Sequence, residues 1–122
     1  MIRQRLSALA AVSLLAALCP LAALAHAHLE QAQPAEGSSG AAPTQFLLKF
    51  SEQAHLTALT LVKSGDAQPR KIGPLPTAAS AQFALPAPHL DPGAYELRYR
   101  VMSADGHPMA GSVHFAVTAE AH

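Results

Sequence analysis

Tryptophan is absent from this 122-residue chain, tyrosine occurs twice, and cysteine occurs once, at Cys19. Each scarcity removes a class of function. Cys19 lies in an apolar N-terminal run, so the rest of the chain has no disulfide and no thiolate to offer a metal. A lipoprotein needs a small residue just before its cysteine, and Leu18 stands there instead. Without tryptophan there is little aromatic surface to grip a polymer substrate. No glycine-rich phosphate cradle is present. No nucleophile–base pair of the kind used in covalent catalysis stands near the loop at residues 105–107.

The N-terminal segment reads as an export signal. Met1 to Arg5 carries two positive charges, Leu6 to Leu24 is almost unbroken apolar sequence, and Ala23-Leu24-Ala25 supplies small residues at the −3 and −1 positions. That order of features marks a secretory signal peptide spanning residues 1–25. The run approaches membrane-spanning length, but Pro20 and the A-x-A motif favour cleavage over anchoring. A second frame, Ala25-His26-Ala27, would cut two residues later. Cleavage after Ala25 leaves a mature domain of residues 26–122 with no membrane anchor. Loss of Arg3 and Arg5 leaves six Lys/Arg against eight Asp/Glu, a formal charge of −2. There is no basic patch, so nucleic acid is excluded as a partner. All seven histidines remain in the mature part, a high share for its length.

The mature chain alternates with period 2. Phe46, Leu48 and Phe50 share one face in TQFLLKF (44–50), and LTALTLV (56–62) gives a second strand. AQFALP (81–86) is short and ends in proline, as an edge strand does. In LDPGAYELRYRVM (90–102), Tyr95, Leu97, Tyr99 and Val101 face one way, and Glu96, Arg98 and Arg100 the other. In SVHFAVT (112–118), Val113, Phe115 and Val117 line up. Short alternating runs divided by Pro/Gly turns predict an antiparallel all-β domain. Two sheets around one core is the economical packing at this size. PGAY before a long strand suits a tyrosine corner, so the expectation is an immunoglobulin-like β-sandwich of about seven strands.

Between the last two strands stands Asp105-Gly106-His107. Residues i and i+2 of an extended or gently turning segment project to one side, and Gly106 admits unusual backbone angles. By itself D-x-H reads as an Asx turn beside an exposed histidine. The other end of the chain changes its weight. Cleavage after Ala25 makes His26 the first residue, with an α-amine and an imidazole that close a chelate ring on one ion. Amine, two imidazoles and a carboxylate form a sulfur-free N/O set suited to tetragonal Cu(II). Zinc accepts similar ligands in a tetrahedron, but Cu(II) binds the tighter of the two.

These residues carry a family resemblance. HAHLEQAQPAEG at residues 26–37 fits H-x-x-L-x4-P-A-x-G. FSE at 50–52 and LDPGAYELRYRVMSADGHPMAGSVHFAV at 90–117, with its D-x-H-P-x-x-G step, extend the match over nearly the whole mature chain. The sequence resembles the CopC family of periplasmic copper-binding proteins. The resemblance implies a Greek-key β-sandwich, a role in copper resistance or homeostasis, and Cu(II) held by His26 (amine and imidazole), Asp105 and His107. It also implies a separate inner-membrane copper transporter of the CopD type as partner. One departure stands out. Some members have a Met-rich loop for Cu(I), whereas the mature chain keeps only Met102 and Met109. That argues against a dedicated thioether site.

The other histidines call for blander roles. His28, third from the expected terminus, would join an amine–amide–imidazole chelate only if the backbone there were flexible, and a strand would block it. His114 falls on the face opposite Val113 and Phe115 and is expected at the surface. His55, His89 and His122 read as exposed, and Glu52 as a surface charge that could otherwise accept a bond near the site. Three functions compete at this stage: a copper-binding protein, a copper-dependent oxidase using the same brace of ligands, and a metal-free interaction module. The first is preferred, because nothing points to turnover.

Overall fold

The computed structural model describes residues 27–118. The expected leader, His26 and residues 119–122 lie outside the described residues. Those described contain no helix. Seven strands follow in order: β1 (Leu29–Gln33), β2 (Ser38–Gly40), β3 (Gln45–Lys63), β4 (Arg70–Lys71), β5 (Ser80–Pro86), β6 (Gly93–Ser103) and β7 (Pro108–Val117). The domain is all-β, an immunoglobulin-like sandwich made from one curled sheet.

The curl comes from β3. The sequence suggests two strands here, separated by the polar SEQAH at residues 51–55; the structure has one strand of 19 residues. Its first half pairs with β1 on one side and β5 on the other, with Leu48 opposite both Ala32 and Phe83. Its second half pairs with β6, from Ala54 opposite Ser103 to Lys63 opposite Tyr95, and with β4 at Thr60 and Leu61. Pairing registers slip between Lys49 and Ala54 and again between Leu56 and Ala58. Such irregularities bend a strand and increase its twist. One strand thereby serves both layers, and β7 and β2 extend the second layer. The three-residue β2 runs parallel to β7, with Ser38 opposite Phe115 and Gly40 opposite Val117. Its sequence, SSG, has no alternation to betray it.

The core is where the alternation puts it. Phe46, Leu48, Phe50, Leu59, Leu61, Tyr95, Leu97, Val101, Val113, Phe115 and Val117 are all buried. The aromatic residues join the layers: Phe46 lies 6.2 Å from Phe115, and Phe50 lies 5.4 Å from Tyr99. A fully buried Phe or Leu contributes about 1.5–3 kcal/mol, so a core of this size folds without a disulfide. The tyrosine corner is present. Tyr95 donates its hydroxyl to the carbonyl of Asp91 at 2.6 Å and stacks on Phe115 at 5.5 Å.

A candidate metal centre at the β6–β7 turn

The long antiparallel pair β6–β7 ends with Met102 opposite Pro108. The Ser103 amide donates to the His107 carbonyl at 3.0 Å, and the Gly106 amide closes the turn on the Ser103 carbonyl at 2.9 Å. Gly106 has φ +89°. A turn followed by a left-handed glycine is the usual three-residue hairpin connection, and glycine is the residue that takes this conformation without steric cost. The geometry puts Asp105 and His107 on one side of the turn. Asp105 Oδ2 and His107 Nδ1 are 3.0 Å apart, with the side chains 40 % and 61 % exposed. The pair expected from the sequence therefore meets in space and faces solvent.

A residue overlooked in the sequence holds this pair. Ser103 is a buried polar side chain in the core, 3 % exposed. Its hydroxyl donates to Asp105 Oδ1. The same oxygen lies 3.3 Å from the His107 amide, which donates to it, and 3.1 Å from the His107 carbonyl. The Ser103 hydroxyl, and after it the His107 ring, hold the Asp105 carboxyl down at about 2. The carboxylate is therefore ionised, and ready for a cation, throughout the neutral range. Nothing in the residue type marked Ser103: its role depends on being the last inward-facing residue of β6.

The start of β1 lies at the same end of the sandwich. Leu29 is opposite Phe50, and Ser51 donates its amide to the His28 carbonyl at 2.8 Å. Three residues beyond Ser51, Ala54 is opposite Ser103. Ala27, the first described residue, is fully buried. The His28 amide donates to Ser51 Oγ at 3.0 Å, and its ring Nδ1 lies 3.1 Å from that oxygen. An amine–amide–imidazole chelate would have to break this hydrogen bond; Ala27 and His28 precede β1 rather than lie in a strand, so it is the bonds to Ser51, not a strand, that oppose it. Among the described residues no group of three or more His, Cys, Asp or Glu converges as a metal site. Asp105 and His107 supply two donors. His26, the remaining expected ligand, lies outside the described residues.

The other candidates are dispersed. His55 is on β3 opposite Met102, exposed, with Nδ1 3.2 Å from the Thr77 carbonyl. His89 pairs with Asp91 at 3.0 Å in the open. His114 is exposed on β7 between Glu36, at 3.2 Å, and Glu96, at 3.7 Å. Glu52 is exposed. Met109 packs partly buried against the core, and His122 lies outside the described residues.

Fold and turn together define a small β-sandwich that presents a carboxylate and an imidazole on one hairpin, at the end where β1 begins. Residues 29–118 match the family model of the CopC domain, and the chain belongs to the CopC family. Copper resistance protein C of Pseudomonas syringae pv. tomato is 37 % identical over 119 residues, covering 87 % of this chain and 93 % of the relative. The protein of the same name from Xanthomonas campestris pv. juglandis is 31 % identical over 116 residues, covering 87 % and 91 %. Among solved structures, PcoC, a methionine-rich copper resistance protein from Escherichia coli, superposes with a TM-score of 0.60 at 30 % identity, covering 77 % of this chain and all of that one. CopC from Methylosinus trichosporium OB3b gives 0.63 at 25 % identity, covering 76 % and 94 %.

Proposed function

We propose that the processed chain is a periplasmic protein that binds one Cu(II) ion for copper resistance or homeostasis, storing it or passing it to a separate CopD-type membrane transporter. The ligands in this reading are the α-amine and imidazole of His26, with Asp105 and His107. The observation that carries it is the Asp105–His107 pair: exposed, aligned by a tight turn, with the Asp105 carboxylate ionised, and at the end of the sandwich where β1 begins. Imidazole and carboxylate with no sulfur suit Cu(II) rather than Cu(I). The relatives' names, copper resistance protein C, support copper as the cargo. The reading is one of binding rather than turnover, since the role asked of these residues is to hold an ion.

The amine is the sharpest point of test. Cu(II) needs the amine and the imidazoles deprotonated, and their reference values are about 7.7–8.0 and about 6.5. Apparent affinity therefore falls as pH drops from about 8 towards 5. A protein with one extra residue ahead of His26 exchanges the amine for an amide and opens the chelate ring. Cu(II) competition against a chromophoric chelator should show far weaker binding than in the processed protein, with unchanged circular dichroism. Equal affinity in two folded proteins removes the amine from the site. The intact mass of the exported protein checks that processing leaves His26 first.

A further inference from the structure

We propose that Ser103 is the positioning residue of the copper site: its buried hydroxyl fixes Asp105 in the rotamer that turns the second carboxylate oxygen towards the ion. The inference rests on the reading above that Asp105 and His107 are ligands.

The hairpin does not need this hydroxyl to close. Two backbone bonds, Ser103 N–H to His107 C=O and Gly106 N–H to Ser103 C=O, already do so. The hydroxyl adds something else, a bond from a rigid, buried point to one oxygen of an exposed carboxylate. Asp105 is at the tip of a turn, where a short side chain would otherwise sample several rotamers. With Oδ1 tied to Ser103, Oδ2 is directed to the side of His107 Nδ1, 3.0 Å away. The same hydroxyl oxygen also meets the His107 amide. That contact is to backbone which the two hairpin bonds already hold, so the side chain the hydroxyl sets in place is that of Asp105. Groups that orient metal ligands in this way typically alter affinity about 10- to 100-fold when removed.

The test is a double-mutant cycle read with Cu(II) in the processed protein. Ser103→Ala removes one oxygen, keeps both backbone bonds and should fold. Its Cu(II) affinity should drop about tenfold, and the Cu(II) electron paramagnetic resonance spectrum should change as the carboxylate loses its fixed orientation. In an Asp105→Ala background the same substitution should cost less than about twofold, because a residue acting through Asp105 has nothing left to position. Wild-type affinity and spectrum in Ser103→Ala would overturn the proposal. So would a full additional loss in the Asp105→Ala background, which would mean that Ser103 serves the hairpin rather than the carboxylate. Should Ser103→Ala not fold, Ser103→Thr carries the test. It keeps the hydroxyl and must bind like the wild type when folded; loss of binding by the folded variant overturns the proposal. His107→Ala separates the two levels. If it loses Cu(II) while Ser103→Ala does not, Ser103 alone is misassigned. If it binds like the wild type, the ligand reading falls, and this inference falls with it.

Discussion

The two ends of β6 carry nearly the same chemistry. Before the strand, His89 and Asp91 stand two residues apart with Nε2 and Oδ1 at 3.0 Å; after it, Asp105 and His107 stand two residues apart with Nδ1 and Oδ2 at 3.0 Å. The strand between them has 11 residues, and at about 3.4 Å per residue its ends are some ~35 Å apart. What differs is the support. The side chains of His89 and Asp91 are 88 % and 70 % exposed, and the bonds the rest of the domain makes there go to backbone carbonyls, from Tyr95 to Asp91 and from Arg70 to His89. Asp105 and His107 sit on a closed turn, and a buried serine grips the carboxylate. A histidine and an aspartate at i, i+2 are thus a frequent surface motif. The second pair differs from the first in its anchoring and in its nearness to the start of β1.

The largest expected effect breaks the symmetry outright. His107→Ala should weaken Cu(II) binding by more than about 100-fold, beyond the cost typical of losing an outer partner. His89→Ala should leave binding unchanged, and so should His114→Ala. Chelator competition on the three variants checks this. Comparable losses at His89 or His114 would put the site at the wrong end of the strand. Asp105→Ala should fall between, since carboxylate is the less preferred Cu(II) partner in this ligand set.

A second, smaller effect probes the first end of β6. Tyr95→Phe deletes the hydroxyl that bonds the Asp91 carbonyl but keeps the ring stacked on Phe115. The expected cost is about 1 kcal/mol of stability, read by urea denaturation, with Cu(II) affinity unaltered. A change in copper binding would show that the two ends communicate.

The smallest effect lies on the exposed face between them. Glu96 bonds Arg98 at 3.1 Å and faces His114, and the Arg98 bond chiefly holds its carboxyl below the ordinary value. A carboxyl lowered in the folded state stabilises the fold above its unfolded value, and that contribution is lost as pH falls through the folded value. Glu96→Gln should therefore be slightly less stable than the wild type at neutral pH. The two should converge below about pH 4, near the ordinary range for Glu. Melting curves at both pH values check the sign. A difference that grows on acidification would contradict the assigned cause.

The alternation of apolar residues sufficed for the strands of the core. Tyr95, Leu97 and Val101 on β6, and Val113, Phe115 and Val117 on β7, face inward as a period of 2 demands. The same holds for the tyrosine corner, because Pro-Gly-Ala-Tyr is a local signal, and for the Asp105–His107 pair, because a turn with a left-handed glycine is a three-residue affair. These features depend on neighbours in the chain, and neighbours are visible in a sequence.

Tertiary structure decided what depends on distant partners. SEQAH reads as a break between strands, yet Ala54 remains extended because Ser80 pairs it on one side and Ser103 on the other. The short β2 exists only because β7 lies alongside it. Ser103 looks like any serine at a strand end until burial removes its water and leaves Asp105 and His107 as its partners. The His28 amide is held by Ser51, 23 residues away. Side-chain periodicity follows from local backbone geometry, so it is written along the chain. Pairing and burial follow from which surfaces exclude water together, and that is settled only when the strands meet.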